Sequence, residues 1–181
     1  ASSYLLQGLN VLYITLEMAE ERIAERIDAN LLDVTMEDLH DMPQQLYDGK
    51  IKKLREKTQG QLIIKEYPTA SAHSGHFKSL MNELALKKSF RPDVIFIDYL
   101  NICASSRFKG GNISSYFYVK AIAEELRGLA VESNVPIFSA TQTTRTGFVS
   151  TDIGLEDTSE SFGLPATADF MFALISNEEL E

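Results

Sequence analysis

The stretch Arg91-Pro92-Asp93-Val94-Ile95-Phe96-Ile97-Asp98-Tyr99-Leu100-Asn101 carries an uninterrupted apolar run, Val94 to Ile97, directly before a carboxylate. A run with no polar alternation has no solvent face, so it predicts a strand of a parallel sheet covered by helices on both sides. Asp98 then falls at the strand's C-terminal edge. Open α/β sheets bind ligands at that edge, and a carboxylate there can hold a hydrated Mg²⁺ on a nucleotide phosphate. The plainer reading is that an Asp ending a strand forms a turn or caps a helix.

The flanking chain repeats the same grammar. Ala1 to Gln7 reads as the tail of a helix stopped at Gly8, and Asn10 to Leu16 as a β-branched and aromatic strand with Glu17 at its end. Ala19 to Leu32 is a helix with Ile23, Ile27 and Leu31 on one face. Thr35-Met36-Glu37-Asp38 has the form of a capping box, and Pro43 opens a further helix to about Lys57, whose charges are a solvated face. Gln61 to Tyr67 is a strand closed by Pro68, and Phe77, Leu80, Met81 and Leu84 repeat at helical spacing after Gly75. Ala104 to Asn112 reads as a mobile basic loop.

Ser114 to Ser133 bears one apolar stripe through Val119, Ile122, Ala123, Leu126, Leu129 and Ala130, and Val135 to Ala140 is the next strand, ending in Thr141-Gln142. Thr143 to Gly154 has no periodicity and reads as a second exposed loop. A short helix is expected over Asp157 to Phe162, broken by Gly163-Leu164-Pro165, with a final buried strand from Phe170 to Ile175. Strands alternating with helices throughout predict an α/β fold with a mostly parallel sheet.

Composition excludes several classes. The chain of 181 residues is the size of one domain, and no apolar run approaches a membrane span. Seventeen Lys and Arg stand against 26 Asp and Glu, giving a net charge of −9, which argues against a surface coated in nucleic acid but allows a few basic loops. Cys103 is the only cysteine, so no internal disulfide forms and a reducing compartment, the cytoplasm, is expected; its role is packing. His73 and His76 have no Cys or third His beside them and read as surface residues near a helix start. A start without Met and an abrupt end in Glu178-Glu179-Leu180-Glu181 suggest that both termini are cuts in a longer protein.

Three polar residues, Glu17, Asp98 and Gln142, thus end three buried strands and would converge along one sheet edge. The chemistry that needs this set is phosphoanhydride hydrolysis. Asp98 would organise Mg²⁺, Glu17 would orient and deprotonate the attacking water, and Gln142 would hydrogen-bond the γ-phosphate.

With these pieces in place the chain resembles the RecA-like motor domain of DnaB-type hexameric replicative helicases. The resemblance rests on Leu16-Glu17-Met18, on Ile97-Asp98-Tyr99-Leu100 as the Walker B strand, on Asn134-Val135-Pro136 leading to Gln142 and Arg145, and on Asp157-Thr158-Ser159-Glu160-Ser161 with Ala168-Asp169. Arg26-Ile27-Asp28-Ala29-Asn30, Lys120-Ala121-Ile122-Ala123-Glu124-Glu125-Leu126-Arg127 and Gly163-Leu164-Pro165-Ala166-Thr167-Ala168-Asp169-Phe170 are similar to the T-even-type bacteriophage branch of that family.

The resemblance implies a P-loop NTPase fold with helices on both faces of the sheet, and ATP with Mg²⁺ as cofactors. Glu17 would be the catalytic carboxylate, Asp98 the Walker B residue and Gln142 the phosphate sensor. It implies a ring of six copies with ATP at subunit interfaces, single-stranded DNA in the channel, and a primase and a helicase loader as partners, in the host cytoplasm if phage-encoded. Ala104 to Asn112 and Thr143 to Gly154 would face the channel, with Arg107, Lys109 and Arg145 as candidate phosphate-backbone contacts. These cations could equally be loop solubilisers.

Departures from the family pattern accompany the likeness. No G-x-x-x-x-G-K-[S/T] loop occurs; Gly49-Lys50 lacks the upstream Gly, the Ser/Thr and the preceding strand. The arginine finger is expected beyond the last strand, and Ser159 stands where bacterial relatives usually have Arg. Residues 1–181 are therefore expected to be a partial ATPase domain that by itself holds ATP poorly. A RecA-type recombinase, a clock-like ATPase, a noncatalytic RecA-fold interaction module and a phosphoacceptor role for Asp98 are the other readings.

Overall fold

The computed structural model describes residues 1–108, 113–142 and 163–174. Among them the strands β1 (Val11–Thr15), β2 (Leu62–Glu66), β3 (Val94–Asp98) and β4 (Ile137–Ser139) form one sheet in the order β2-β1-β3-β4, all neighbours parallel. Parallel neighbours need crossovers. Helices α2 (Glu20–Leu32), α3 (Met36–Asp41) and α4 (Gln44–Lys57) lie between β1 and β2 in the chain, α5 (Ser74–Lys88) between β2 and β3, and α6 (Ser115–Ser133) between β3 and β4. The short α1 (Ser2–Leu6) precedes β1 and ends before Gly8, whose φ of +83° a side chain would disfavour.

Local chemistry sets most boundaries. The Thr35 hydroxyl accepts from the Asp38 N–H at 3.0 Å, and the Asp38 carboxylate accepts from the Thr35 N–H, so the capping box forms at α3. Pro43 caps α4, and Tyr47 on that helix donates to Asp28 on α2 at 2.6 Å. Asn134 closes α6 in the left-handed conformation with φ of +52°.

Alternation splits the strand side chains between two cores. Leu12, Ile14, Ile95 and Ile97 join Phe77 and Leu84 of α5 and Val119, Ile122 and Leu126 of α6. Val11 and Val94 join Leu5, Ile23 and Ile27 on the side of α1 and α2, with Tyr13, Phe96 and Phe138 only partly covered. Helices thus lie on both sides, as the apolar run at β3 predicts.

Two expectations fail. Gly163-Leu164-Pro165, expected to break a helix, are themselves helical, within α7 (Gly163–Thr167). Among the described residues of α7, Pro165 has no residue four positions before it, so its missing N–H removes no hydrogen bond within that described stretch. The segment from Phe170 to Ile175 is not a buried strand over its described part: no strand pairs with residues 170–174, and Phe170, Phe172 and Leu174 are 86%, 74% and 97% exposed. Apolar composition can bury a segment only when a neighbouring strand or helix face reaches it. The root of the loop expected over Ala104 to Asn112 is hydrogen-bonded at Ala104 to Arg107, by the contacts described below. Residues 109–112, 143–162 and Ile175, and with them Lys109, Arg145 and the helix expected over Asp157 to Phe162, lie outside the described residues.

Candidate functional site

The register gathers the strand ends. Thr15 of β1 lies opposite Asp98 of β3, and Ile97 lies opposite Ser139 of β4. Beyond the ladder, the Leu16 N–H donates to the Asp98 carbonyl at 2.9 Å and the Leu100 N–H to the Ala140 carbonyl at 3.2 Å. The three segments carrying Glu17, Asp98 and Gln142 therefore leave the sheet side by side at its C-terminal edge.

Glu17 sits in a tight turn built by Thr15. That residue is wholly buried; its hydroxyl donates to the Met18 carbonyl at 2.9 Å and accepts from the Met18 N–H at 3.0 Å. From the next loop, the Thr69 hydroxyl donates to the Leu16 carbonyl at 2.7 Å. These bonds fix the backbone on either side of Glu17, whose exposed carboxylate makes no hydrogen bond or ion pair among the described residues. A carboxylate held on a rigid turn and left unpartnered can accept a proton from solvent or substrate water.

Asp98 is partly buried, and its Oδ2 accepts from the Tyr13 hydroxyl at 2.9 Å. Burial, then the Asp98 charge and this hydrogen bond, push the Tyr13 phenol well above its ordinary value, with Arg26 opposing. Tyr13 thus stays a neutral donor. It occupies one oxygen of Asp98; the other has no protein partner among the described residues. Gln142 is exposed and donates to the Tyr99 hydroxyl at 3.2 Å, while the Thr141 hydroxyl donates to the Asn101 side-chain oxygen at 2.8 Å. The two strand exits are thereby tied to each other directly behind the carboxylates.

No group of three or more His, Cys, Asp or Glu among the described residues could hold a metal by itself. The donor set at the sheet edge, oxygen atoms of Asp98 and Glu17, suits a hard cation that keeps most of its water or phosphate ligands, as Mg²⁺ does. His73 and His76 serve the backbone instead: His73 Nδ1 accepts from the Gly75 N–H at 3.0 Å and His76 Nδ1 from the His73 N–H at 3.2 Å, capping α5. Cys103 is buried, and burial, with the nearby Glu125 charge, pushes its thiol up to about 12. It is a packing residue.

Arg107, the one proposed DNA contact among the described residues, forms an ion pair with Glu124 of α6 while about half exposed. Its backbone is held by the next residue of that helix, Glu125, which also takes hydrogen bonds from Ser105 and Ser106. Tyr13, Thr15, Tyr99 and Glu125 do not stand out from the sequence as site residues. Thr15 carries a signal even so, since a Thr shortly before an exposed turn often bonds the backbone ahead of it; the other three depend on long-range pairing.

Residues 1–178 match the model of the family described as DnaB-like helicase C terminal domain. The chain is 52% identical over 183 residues to the DnaB-like replicative helicase of Enterobacteria phage T4, covering 99% of this chain and 38% of that protein. It is 34% identical over 144 residues to a probable plasmid replicative DNA helicase of Chlamydia trachomatis, covering 77% of this chain and 30% of that protein. It therefore spans well under half the length of these relatives. Two solved structures share the fold. One is a DnaB-like replicative helicase described with its primase interactions (TM-score 0.72, 19% identity, covering 93% of this chain and 41% of that one). The other is described as an ATPase domain (TM-score 0.73, 18% identity, covering 93% of this chain and 60% of that one). The architecture is accordingly RecA-like.

Proposed function

We propose that this chain, which belongs to the DnaB-like helicase C-terminal domain family, is part of a replicative DNA helicase motor that couples ATP hydrolysis to translocation on single-stranded DNA and duplex unwinding. The observation that carries the reading is the shared exit of the Glu17, Asp98 and Gln142 segments from one parallel sheet edge. Family membership gives that edge a nucleotide to act on, and the recombinase, clock-like and noncatalytic readings lose ground to it.

Bound ATP would supply the phosphoanhydride bond, and Mg²⁺ would offset charge on its phosphates. The chain's own residues would act around that bond. Asp98, oriented by Tyr13, would position the waters of the cation. Glu17, fixed by the Thr15 turn, would take a proton from the attacking water. Gln142 has a side-chain donor now spent on Tyr99, and transferring it to a phosphate oxygen would move the root of the segment from Thr143 onward. Arg107, Lys109 and Arg145 would contact the DNA backbone, a mode that reads no bases and so suits a motor. A ring of six copies, a primase and a loader are the proposed partners, in keeping with the primase interactions described for one structural neighbour. No helix among the described residues is long and apolar enough to cross a membrane, and action in host cytoplasm is the proposed setting.

The test is single-stranded-DNA-stimulated ATP hydrolysis by the full-length gene product, wild type against Glu17→Gln. The substitution keeps size and removes the base, so turnover should fall by a factor on the order of 10² or more with nucleotide binding retained. Turnover that ignores both DNA and the substitution would sink the reading.

A further inference from the structure

Glu125, which the sheet-edge chemistry does not use, is the most heavily hydrogen-bonded side chain described. Its Oε1 accepts from the Ser105 hydroxyl at 2.6 Å, the Ser106 N–H at 3.0 Å and the Arg107 N–H at 3.4 Å. Its Oε2 accepts from the Ser106 hydroxyl at 2.8 Å, the Ser106 N–H at 3.0 Å and the Ser74 hydroxyl at 3.0 Å. Burial would push this carboxyl up; the bonds from Ser105, Ser106 and Ser74 outweigh that and hold it below the ordinary carboxylate range. Two successive N–H groups, Ser106 and Arg107, turned toward one carboxylate form a backbone nest around it, and charge-assisted bonds of this kind are the strong ones.

The anchor joins three elements: α6, the start of α5 and the segment leaving β3. From Asp98 that segment passes through a single 3₁₀ turn, Leu100–Ile102, and is tied by the Ala104 N–H to the Ala72 carbonyl at 2.8 Å and by the Ser105 N–H to the Tyr118 hydroxyl at 3.1 Å. It is therefore bonded at short intervals from the carboxylate end of β3 to the backbone of Arg107. Glu124, the neighbouring residue, holds the Arg107 side chain but not its backbone.

Resting on the DNA-motor reading above, we propose that Glu125 is a positioning residue: it sets the backbone from Ser105 to Arg107 and so aligns the Arg107 cation with the phosphate backbone of single-stranded DNA. Without the nest the Ser105 to Arg107 backbone has no anion to organise it, and the loop root becomes free to take other conformations. The cost falls on DNA engagement more than on the core, because the apolar stripe of α6 is untouched.

The experiment uses the full-length gene product and oligo-dT. Glu125→Gln keeps the shape but meets the same donors with a neutral amide. The single-stranded DNA concentration giving half-maximal ATPase stimulation should rise by about tenfold, and amide exchange at Ser106 and Arg107 should speed up. A purely structural role would lower the folded fraction, scaling all rates together without moving that half-saturating concentration. Ser105→Ala, which deletes one donor from the loop side, should shift the same concentration in the same direction by less, and it stands in if Glu125→Gln does not fold. An unmoved half-saturating concentration in the folded variant overturns the assignment while leaving the motor reading intact. A wild-type protein with no DNA stimulation overturns the motor reading and the assignment with it.

Discussion

The two faces of the sheet are built differently. Toward α5 and α6, Leu12, Ile14, Ile95 and Ile97 are aliphatic and at most 2% exposed. Toward α1 and α2, Tyr13, Phe96 and Phe138 form a row of near-parallel rings, with centroids 5.9 Å and 5.2 Å apart and interplanar angles of 13° and 17°, only partly covered by Tyr4 and its neighbours. Alternation along β3 places Asp98 on this second face, two residues after Phe96, and Tyr13 reaches it there. The difference has a physical cause. A carboxylate on the dry face would lose its hydration with nothing to replace it, whereas the incompletely covered face lets Asp98 keep one partnered oxygen and one open one.

If the dry face carries the stability, Ile97→Ala should cost about 3 kcal/mol or more in a denaturant titration, because the site cannot collapse around the cavity. On the aromatic face Phe138→Ala should cost about 1–2 kcal/mol, since part of the ring is already in water. Equal losses would abolish the contrast.

Tyr13→Phe tests the join between the faces and the site, and should remove about 1 kcal/mol at neutral pH. Its pH dependence is more telling. The folded phenol titrates above the unfolded value of about 10, so the unfolded chain sheds a proton first and the native state loses stability as pH rises past that point. The Tyr13→Phe variant should be flatter there. Glu125, at the polar edge of the helix over the dry face, has the opposite sign: its folded carboxyl titrates below the unfolded one, so its contribution is present at neutral pH and lost as pH falls below about 4.3. The stability gap between wild type and Glu125→Gln should close over that range. The smallest effect belongs to Glu124→Gln, which breaks an exposed ion pair with Arg107 and should change stability by less than about 0.5 kcal/mol. A larger change would mean that the pair, and not the Glu125 nest, holds the loop.

Features encoded within a few residues were legible in advance. The apolar run Val94 to Ile97, the Thr35 to Asp38 capping box, the Pro43 start and the α6 stripe each depend on neighbours in sequence, and each formed where the pattern placed it. Phe170 to Leu174 shows the limit, because its composition suits a buried strand while burial needs a partner segment that no local pattern specifies. Pro165 misled for a related reason: proline disfavours helix interiors, yet whether it is tolerated depends on where the helix lies around it, and here it is helical within α7.

The candidate site divides the same way. That carboxylates and an amide follow three of the strands could be read directly, since strand ends are local events. That Tyr13 serves Asp98 across 85 residues could not, because a slip of one residue in register would turn Tyr13 to the other face. Nor could the choice of Glu125 over Glu124 as the loop's backbone anchor, where adjacent identical side chains differ only in which way the helix aims them. The sequence by itself determined most of the strands and helices, through periodicity, caps and turn chemistry. Only the tertiary structure decided which polar groups meet, because that depends on register and helix rotation, quantities set by packing across the whole domain.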